Sequence, residues 1–159
     1  MTDLEELLGT RGLNEVINPS GWTQLIFNSR SGDLNAVNLL LMAGADVNIL
    51  DKEGVNAVHY AAGQGHDQIL AALLKAGGNA RHVAPDGRTA LHRAAGNGKP
   101  GCIILLLEAG CDPNIVGGPD KLTPVEEAAR WEHAECLREL LSRGATPAKW
   151  MIDGSPPPW

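Results

Sequence analysis

The chain has 159 residues, 43% hydrophobic but only 4% aromatic, and a formal net charge of −6. That length suits one domain or one short stack, with a core of Leu, Ala, Ile and Val rather than aromatic rings. The acidic balance argues against nucleic acid or an anionic membrane as partner, since both select basic patches.

The N-terminus, Met1 to Leu8, is acidic and lacks the basic start and long apolar stretch of a secretory signal. The longest apolar run, Cys102 to Leu107, is far too short to span a bilayer. Cys102, Cys111 and Cys136 show no metal-site or redox spacing and fit a reducing compartment. A soluble cytoplasmic protein is expected, monomeric on its own.

Residues 1–17 predict a capping helix. Thr2-Asp3-Leu4-Glu5 has capping-box spacing, and Leu4, Leu7 and Leu8 would lie against the first full unit as the second half of an incomplete one. Residues 18–50 form that first unit, with Thr23 as helix cap and Val37, Leu40 and Leu41 on a second helix. Residues 51–83 give the clearest plan. Asp51-Lys52-Glu53-Gly54 suits a tight turn, Asn56 caps a helix over about 57–64, and Gly65 ends it. A second helix over about 67–75 then carries Ile69, Leu70, Leu73 and Leu74 as one stripe. Residues 84–116 repeat this, with Pro100 at the favoured first position of the second helix. Residues 117–146 do so again, with Leu137, Leu140 and Leu141 as the stripe and one extra residue in Gly117-Gly118-Pro119-Asp120. Residues 147–159 make a Pro/Trp-rich tail whose Ser155-Pro156-Pro157-Pro158-Trp159 cannot be helix. Either Trp150 and Trp159 pin it over the last unit, or it is a partly disordered terminus.

The units share one period. Gly44, Gly77 and Gly110 are spaced by 33 residues, as are Gly21, Gly54 and Gly87, and Ala61-Ala62 recurs as Ala94-Ala95 and Ala128-Ala129. Such a unit cannot bury its apolar stripe alone, so stacking is required. Gly87-Arg88-Thr89-Ala90-Leu91-His92-Arg93-Ala94-Ala95, with Gly54-Val55-Asn56-Ala57-Val58-His59-Tyr60-Ala61-Ala62 and Thr123-Pro124, resembles the ankyrin repeat. The first and last units diverge most, with Gln24-Leu25-Ile26 in one and Glu126 in place of histidine in the other. The resemblance implies an all-α ankyrin-repeat solenoid of stacked helix-turn-helix units joined by β-hairpin or loop connections.

The resemblance also implies a non-catalytic protein-interaction module, an adaptor, regulator or inhibitor. In that family the hairpin tips and the exposed side of the first helices form a concave binding face. By repeat position, this maps onto Trp22, Arg30, Lys52, Glu53, Val55, Gln64, Asp86, Arg88, Asn97, Asp120, Leu122, Arg130 and Trp131. Trp and Arg most often dominate interfaces, which favours Trp22 and Trp131. Arg88, Arg93, Lys99 and Arg130 are expected to form a basic strip for a carboxylate-rich segment. A narrower alternative is a small bacterial immunity-type protein neutralising a basic toxin or effector, steered by the acidic charge.

An enzyme or metal protein is the remaining alternative. His59 and His92 share a repeat position that the resemblance assigns to a bond with neighbouring loop backbone. No histidine pair has the spacing of a zinc site. Gly96-Asn97-Gly98-Lys99 fails as a phosphate loop, because Arg93 and Pro100 stand where Gly and Ser or Thr are needed. Cys102 and Cys136 fall within helix stripes and read as core. Asn48 and Asn114 read as hydrogen-bonding loop residues. No catalytic, metal or cofactor residues are assigned.

Overall fold

The computed structural model describes residues 3–159; the capping-box threonine Thr2 lies outside them. Four helix pairs succeed one another: α2 (Gln24–Ser31) with α3 (Leu34–Met42), α4 (Ala57–Gln64) with α5 (Asp67–Lys75), α6 (Ala90–Gly96) with α7 (Pro100–Glu108), and α8 (Pro124–Arg130) with α9 (Ala134–Ser142). A short helix flanks them at each end, α1 (Asp3–Leu8) and α10 (Lys149–Asp153). First helices pack in the order α2, α4, α6, α8, and second helices in the order α1, α3, α5, α7, α9, giving a two-layer stack.

Each first helix starts at the cap the sequence offers. The side chains of Thr23, Asn56, Thr89 and Thr123 accept from the backbone amides of Ile26, His59, His92 and Glu126 at 3.0–3.4 Å. Each such cap contributes about 1 kcal/mol. The core between the layers is Leu and Ile packed on alanine: Leu40, Leu70, Leu73, Ile103, Leu106 and Leu140 are fully buried against Ala61, Ala62, Ala94, Ala95 and Ala128. Small side chains on the first helices let the neighbouring helices approach closely. Cys102 and Cys136 lie in this core and Cys111 at its edge, all three as free thiols. Burial pushes the Cys136 thiol up to about 11 and raises the other two, so none is a ready nucleophile.

Among the described residues the hairpins hold no strand, only one isolated antiparallel bridge between Gly117 and Leu122. Their closing bonds explain the 34-residue step. The amides of Asp51 and Ala84 donate to the carbonyls of Val55 and Arg88, four residues on. Those of Ile17 and Gly117 donate to Trp22 and Leu122, five residues on. The extra residue is thus held in the first and last hairpins alike.

The left-handed turn between helices is filled by Gly32, Gly65 and Gly98, and Gly98 also faces the His133 ring too closely for a Cβ, 2.8 Å from Nδ1. In the last pair this position is Glu132 at φ 58, and the hairpin position of Gly21, Gly54 and Gly87 is Lys121 at φ 56. The last pair therefore carries both left-handed turns on residues with a Cβ, a strain glycine avoids.

Candidate functional site

The exposed side of the first-helix layer is best followed by register. Phe27, Tyr60, Arg93 and Glu127 occupy one position; Arg30, Gly63, Gly96 and Arg130 the next; Ser31, Gln64, Asn97 and Trp131 the third. The side divides into an aromatic end and a charged end.

At the aromatic end, Trp22 stands edge-on to Tyr60 at 5.4 Å and tilted to Phe27 at 6.5 Å. The Arg30 guanidinium lies over the Trp22 ring at 5.0 Å, a cation–π contact. Asp51, almost buried, organises the group. Its Oδ2 accepts from Trp22 Nε1 at 3.1 Å and from the Tyr60 hydroxyl at 2.6 Å, and its Oδ1 accepts the amides of Glu53 and Val55. Burial, then the Asp51 carboxylate, push the Tyr60 hydroxyl up to about 12, so it stays a donor. A shallow cleft of 180 Å³ opens between Trp22, Phe27, Arg30, Ser31 and Gln64.

At the charged end, Arg88 donates from Nη2 to Glu127 Oε1 at 3.1 Å and from Nε at 3.4 Å, while Glu127 is nearly buried. Arg93 sits 3.8 Å from Asp86, and Arg130 pairs with Asp120. A cleft of 230 Å³ lies between these groups and the exposed Trp131.

Of the sequence-derived candidates, Trp22, Arg30 and Gln64 come together at the aromatic end, and Arg88, Asn97 and Trp131 at the charged end. Lys52 and Glu53 are exposed at a hairpin tip; Asp86, Asp120 and Arg130 hold ion pairs beside the second cleft. Val55 and Leu122 are corrections. They are 2% and 4% exposed: at the position where Trp22 and Arg88 reach the face, these two shorter apolar side chains are buried instead. The basic strip is a correction too. Arg88, Arg93 and Arg130 face Glu127, Asp86 and Asp120, and the Lys99 stem packs against Gly65 at the turn between helices. On the whole side, Arg30, Lys52, Arg88, Arg93, Lys121 and Arg130 outnumber Asp51, Glu53, Asp86, Asp120 and Glu127 by one, so the net charge of −6 resides elsewhere. Sequence reasoning passed over Phe27, Tyr60 and Asp51; writing the units beneath one another at the 33-residue period would have aligned the first two.

The histidines hold pairs together. His92 Nδ1 accepts the Thr89 amide at 3.2 Å, and its Nε2 donates to the Leu122 carbonyl of the next hairpin at 3.0 Å. His59 Nδ1 donates to Asn56 Oδ1 at 2.8 Å, with Nε2 3.3 Å from the Arg88 carbonyl. Burial, aided by the nearby Arg93 charge, holds His59 down to about 4; burial lowers His92 in the same way. His66 and His133 use Nε2 to reach the Arg30 and Gly96 carbonyls at the ends of the preceding first helices, and His82 reaches Gly54 at 2.7 Å. Glu126, at the same position in the last pair, closes a capping box on Thr123. Asn48 and Asn114 bond across loops as well as standing in them: Asn48 Oδ1 accepts the Asn79 amide at 2.7 Å and Asn114 Oδ1 the Thr146 amide at 2.8 Å. Asn14 does the same for Asp46. Among the described residues, no group of three or more His, Cys, Asp or Glu side chains converges as a metal site, and no helix is long and apolar enough to cross a membrane.

Val16, Leu50, Val83 and Val116 recur at one position immediately before the hairpins, each about half exposed. The tail packs back on the last pair. Met151 touches the core, and Trp159 lies edge-on to Trp150 at 5.4 Å and 5.8 Å from the Arg130 guanidinium.

Known proteins share this pattern. A family model described as ankyrin repeats (3 copies) matches residues 25–117 and 80–149. The ankyrin repeat protein nuc-2 of Neurospora crassa is 39% identical over 54 residues, which is 34% of this chain and 5% of that protein. The Notch-regulated ankyrin repeat-containing protein A of Danio rerio is 40% identical over 52 residues, 33% of this chain and 46% of that protein. The chain thus spans less than half the length of these relatives. The family match covers most of the four helix pairs, and the chain belongs to the ankyrin repeat family.

Proposed function

We propose that this chain is a non-catalytic interaction module, an adaptor, regulator or inhibitor, that binds a partner protein through the exposed side of its first-helix layer, the concave face of such stacks. The family is generically one of protein-interaction modules. The observation that carries the reading is the gathering of Trp22, Phe27, Tyr60 and Arg30 at one end of this face and of Trp131 and Arg93 at the other. Rings and guanidinium groups are the side chains that dominate interface energies. A catalytic role has less support: the thiols are buried with raised pKa values, and the two core histidines are committed to backbone carbonyls and caps.

The cytoplasm is the proposed location, and the monomer the proposed free state. The narrower reading, neutralisation of a basic toxin or effector, draws on the net charge of −6. The balance of charges on the face weighs against it, and the adaptor or regulator reading is preferred.

The test is affinity capture from source-cell lysate with wild type and two surface variants. Gln64→Arg/Trp131→Ala alters the face; Met42→Arg/Lys75→Glu alters the second-helix layer. A partner lost only by the first variant supports the face. A partner lost only by the second moves the site to the other layer.

A further inference from the structure

We propose that the cleft between the third and fourth helix pairs reads a single carboxylate side chain, Asp or Glu, in an extended segment of the partner, through the guanidinium fork of Arg93. This rests on the proposal that the face binds a protein. Arg93 is the unsatisfied member of its cluster. Its Nε is buried and has no hydrogen-bond acceptor. Its nearest anion, Asp86 Oδ2, is at 3.8 Å, too far for a hydrogen bond. One oxygen of each neighbouring carboxylate is engaged elsewhere: Glu127 Oε1 accepts from Nε and Nη2 of Arg88, and Asp86 Oδ1 takes the Arg88 amide at 2.9 Å. His92 is held neutral by burial and turned to Leu122, so it does not compete. The rest of the side chain is partly exposed and lines the cleft, so its terminal nitrogens are open to an incoming acceptor, and a carboxylate matches a guanidinium fork in both geometry and charge.

The walls set the size of the guest. Gly96 forms part of the cleft, yet its backbone is not left-handed. A Cβ there would approach Glu127 Oε2 at 3.5 Å and the Trp131 ring at 3.9 Å, ordinary contacts. Nothing in the fold requires glycine at this helix end; its effect is to leave the cleft open. The volume of 230 Å³ is below that of small-molecule pockets and fits one side chain. Trp131, 58% exposed, offers a flat wall to an apolar neighbour of the acid.

The experiment pans a random linear-peptide library on the full chain. The affinity of a selected peptide is then measured by fluorescence anisotropy for wild type, Arg93→Gln and Gly96→Ala, with cooperative melting checked for each. Enriched peptides are expected to carry Asp or Glu beside an aliphatic or aromatic residue. Arg93→Gln weakens the peptide about tenfold or more. Replacing the peptide's acid with its amide weakens wild-type binding by a similar factor and leaves Arg93→Gln binding unchanged. Gly96→Ala also weakens the peptide, without lowering the melting temperature. Peptides that lack an acid, or that bind Arg93→Gln as well as wild type, overturn the inference. If such peptides are nonetheless lost to Gln64→Arg/Trp131→Ala, the face stands and only the carboxylate reading falls. If they are indifferent to all these changes, or no peptide is enriched, both fall.

Discussion

Acid should loosen the stack through His59, and its surroundings set the size of the effect. The ring is fully buried and neutral, with its proton on Nδ1 toward Asn56. Burial and the Arg93 charge hold its pKa at about 4 against 6.5 when unfolded. The Arg88 carbonyl, 3.3 Å from Nε2, favours the charged ring, but the two opposing effects outweigh it. Because the folded value is the lower one, the unfolded chain binds the proton first, and stability falls as pH drops from about 6.5 toward 4. At about 1.4 kcal/mol per pH step, the loss amounts to about 3 kcal/mol once complete. His92 adds to it in the same direction. The assay is urea unfolding of wild type and His59→Gln at a series of pH values. Carboxylate titration is common to both proteins, so the difference between the curves isolates His59. The gap should narrow by about 2–3 kcal/mol on going from neutral to acidic pH, with wild type losing more. Parallel curves would refute the claim that His59 is buried and neutral in the fold.

Glu132→Gly relieves a left-handed residue and should stabilise by roughly 0.5–1 kcal/mol in thermal unfolding; a loss would mean that the strain at this turn is offset locally. Leu73→Ala and Leu106→Ala each remove a fully buried side chain and should cost roughly 2–5 kcal/mol in chemical denaturation. Gly117→Ala places a Cβ against the Gly87 carbonyl oxygen, part of the backbone of the preceding hairpin. It should destabilise by about 1–3 kcal/mol, measured in the same way, and a neutral outcome would mean that the two hairpins are not packed against each other.

What could be read from the sequence was what local chemistry decides. Thr23, Asn56, Thr89 and Thr123 declared themselves as caps because a cap bonds within its own first turn. The apolar stripes declared themselves by helical period. The candidate face was legible only in part, because its details depend on the register between units. Val55 and Leu122 looked like tip residues, but only the folded hairpin shows that they turn inward. The arginines looked like a strip because their anions lie 2 to 39 positions away, as Asp86 and Glu127 do from Arg88. The ties made by His66, His82, His133 and Asn14 join groups 28 to 37 residues apart, and no local signal marks them.

The central claim is that the exposed side of the first-helix layer receives the partner. Hydrogen exchange of the full chain, alone and saturated with a captured partner, tests it most directly. Slowed exchange confined to the hairpins and to α2, α4, α6 and α8 is the predicted result. Protection confined to α3, α5, α7 and α9, with the first helices unchanged, would contradict it.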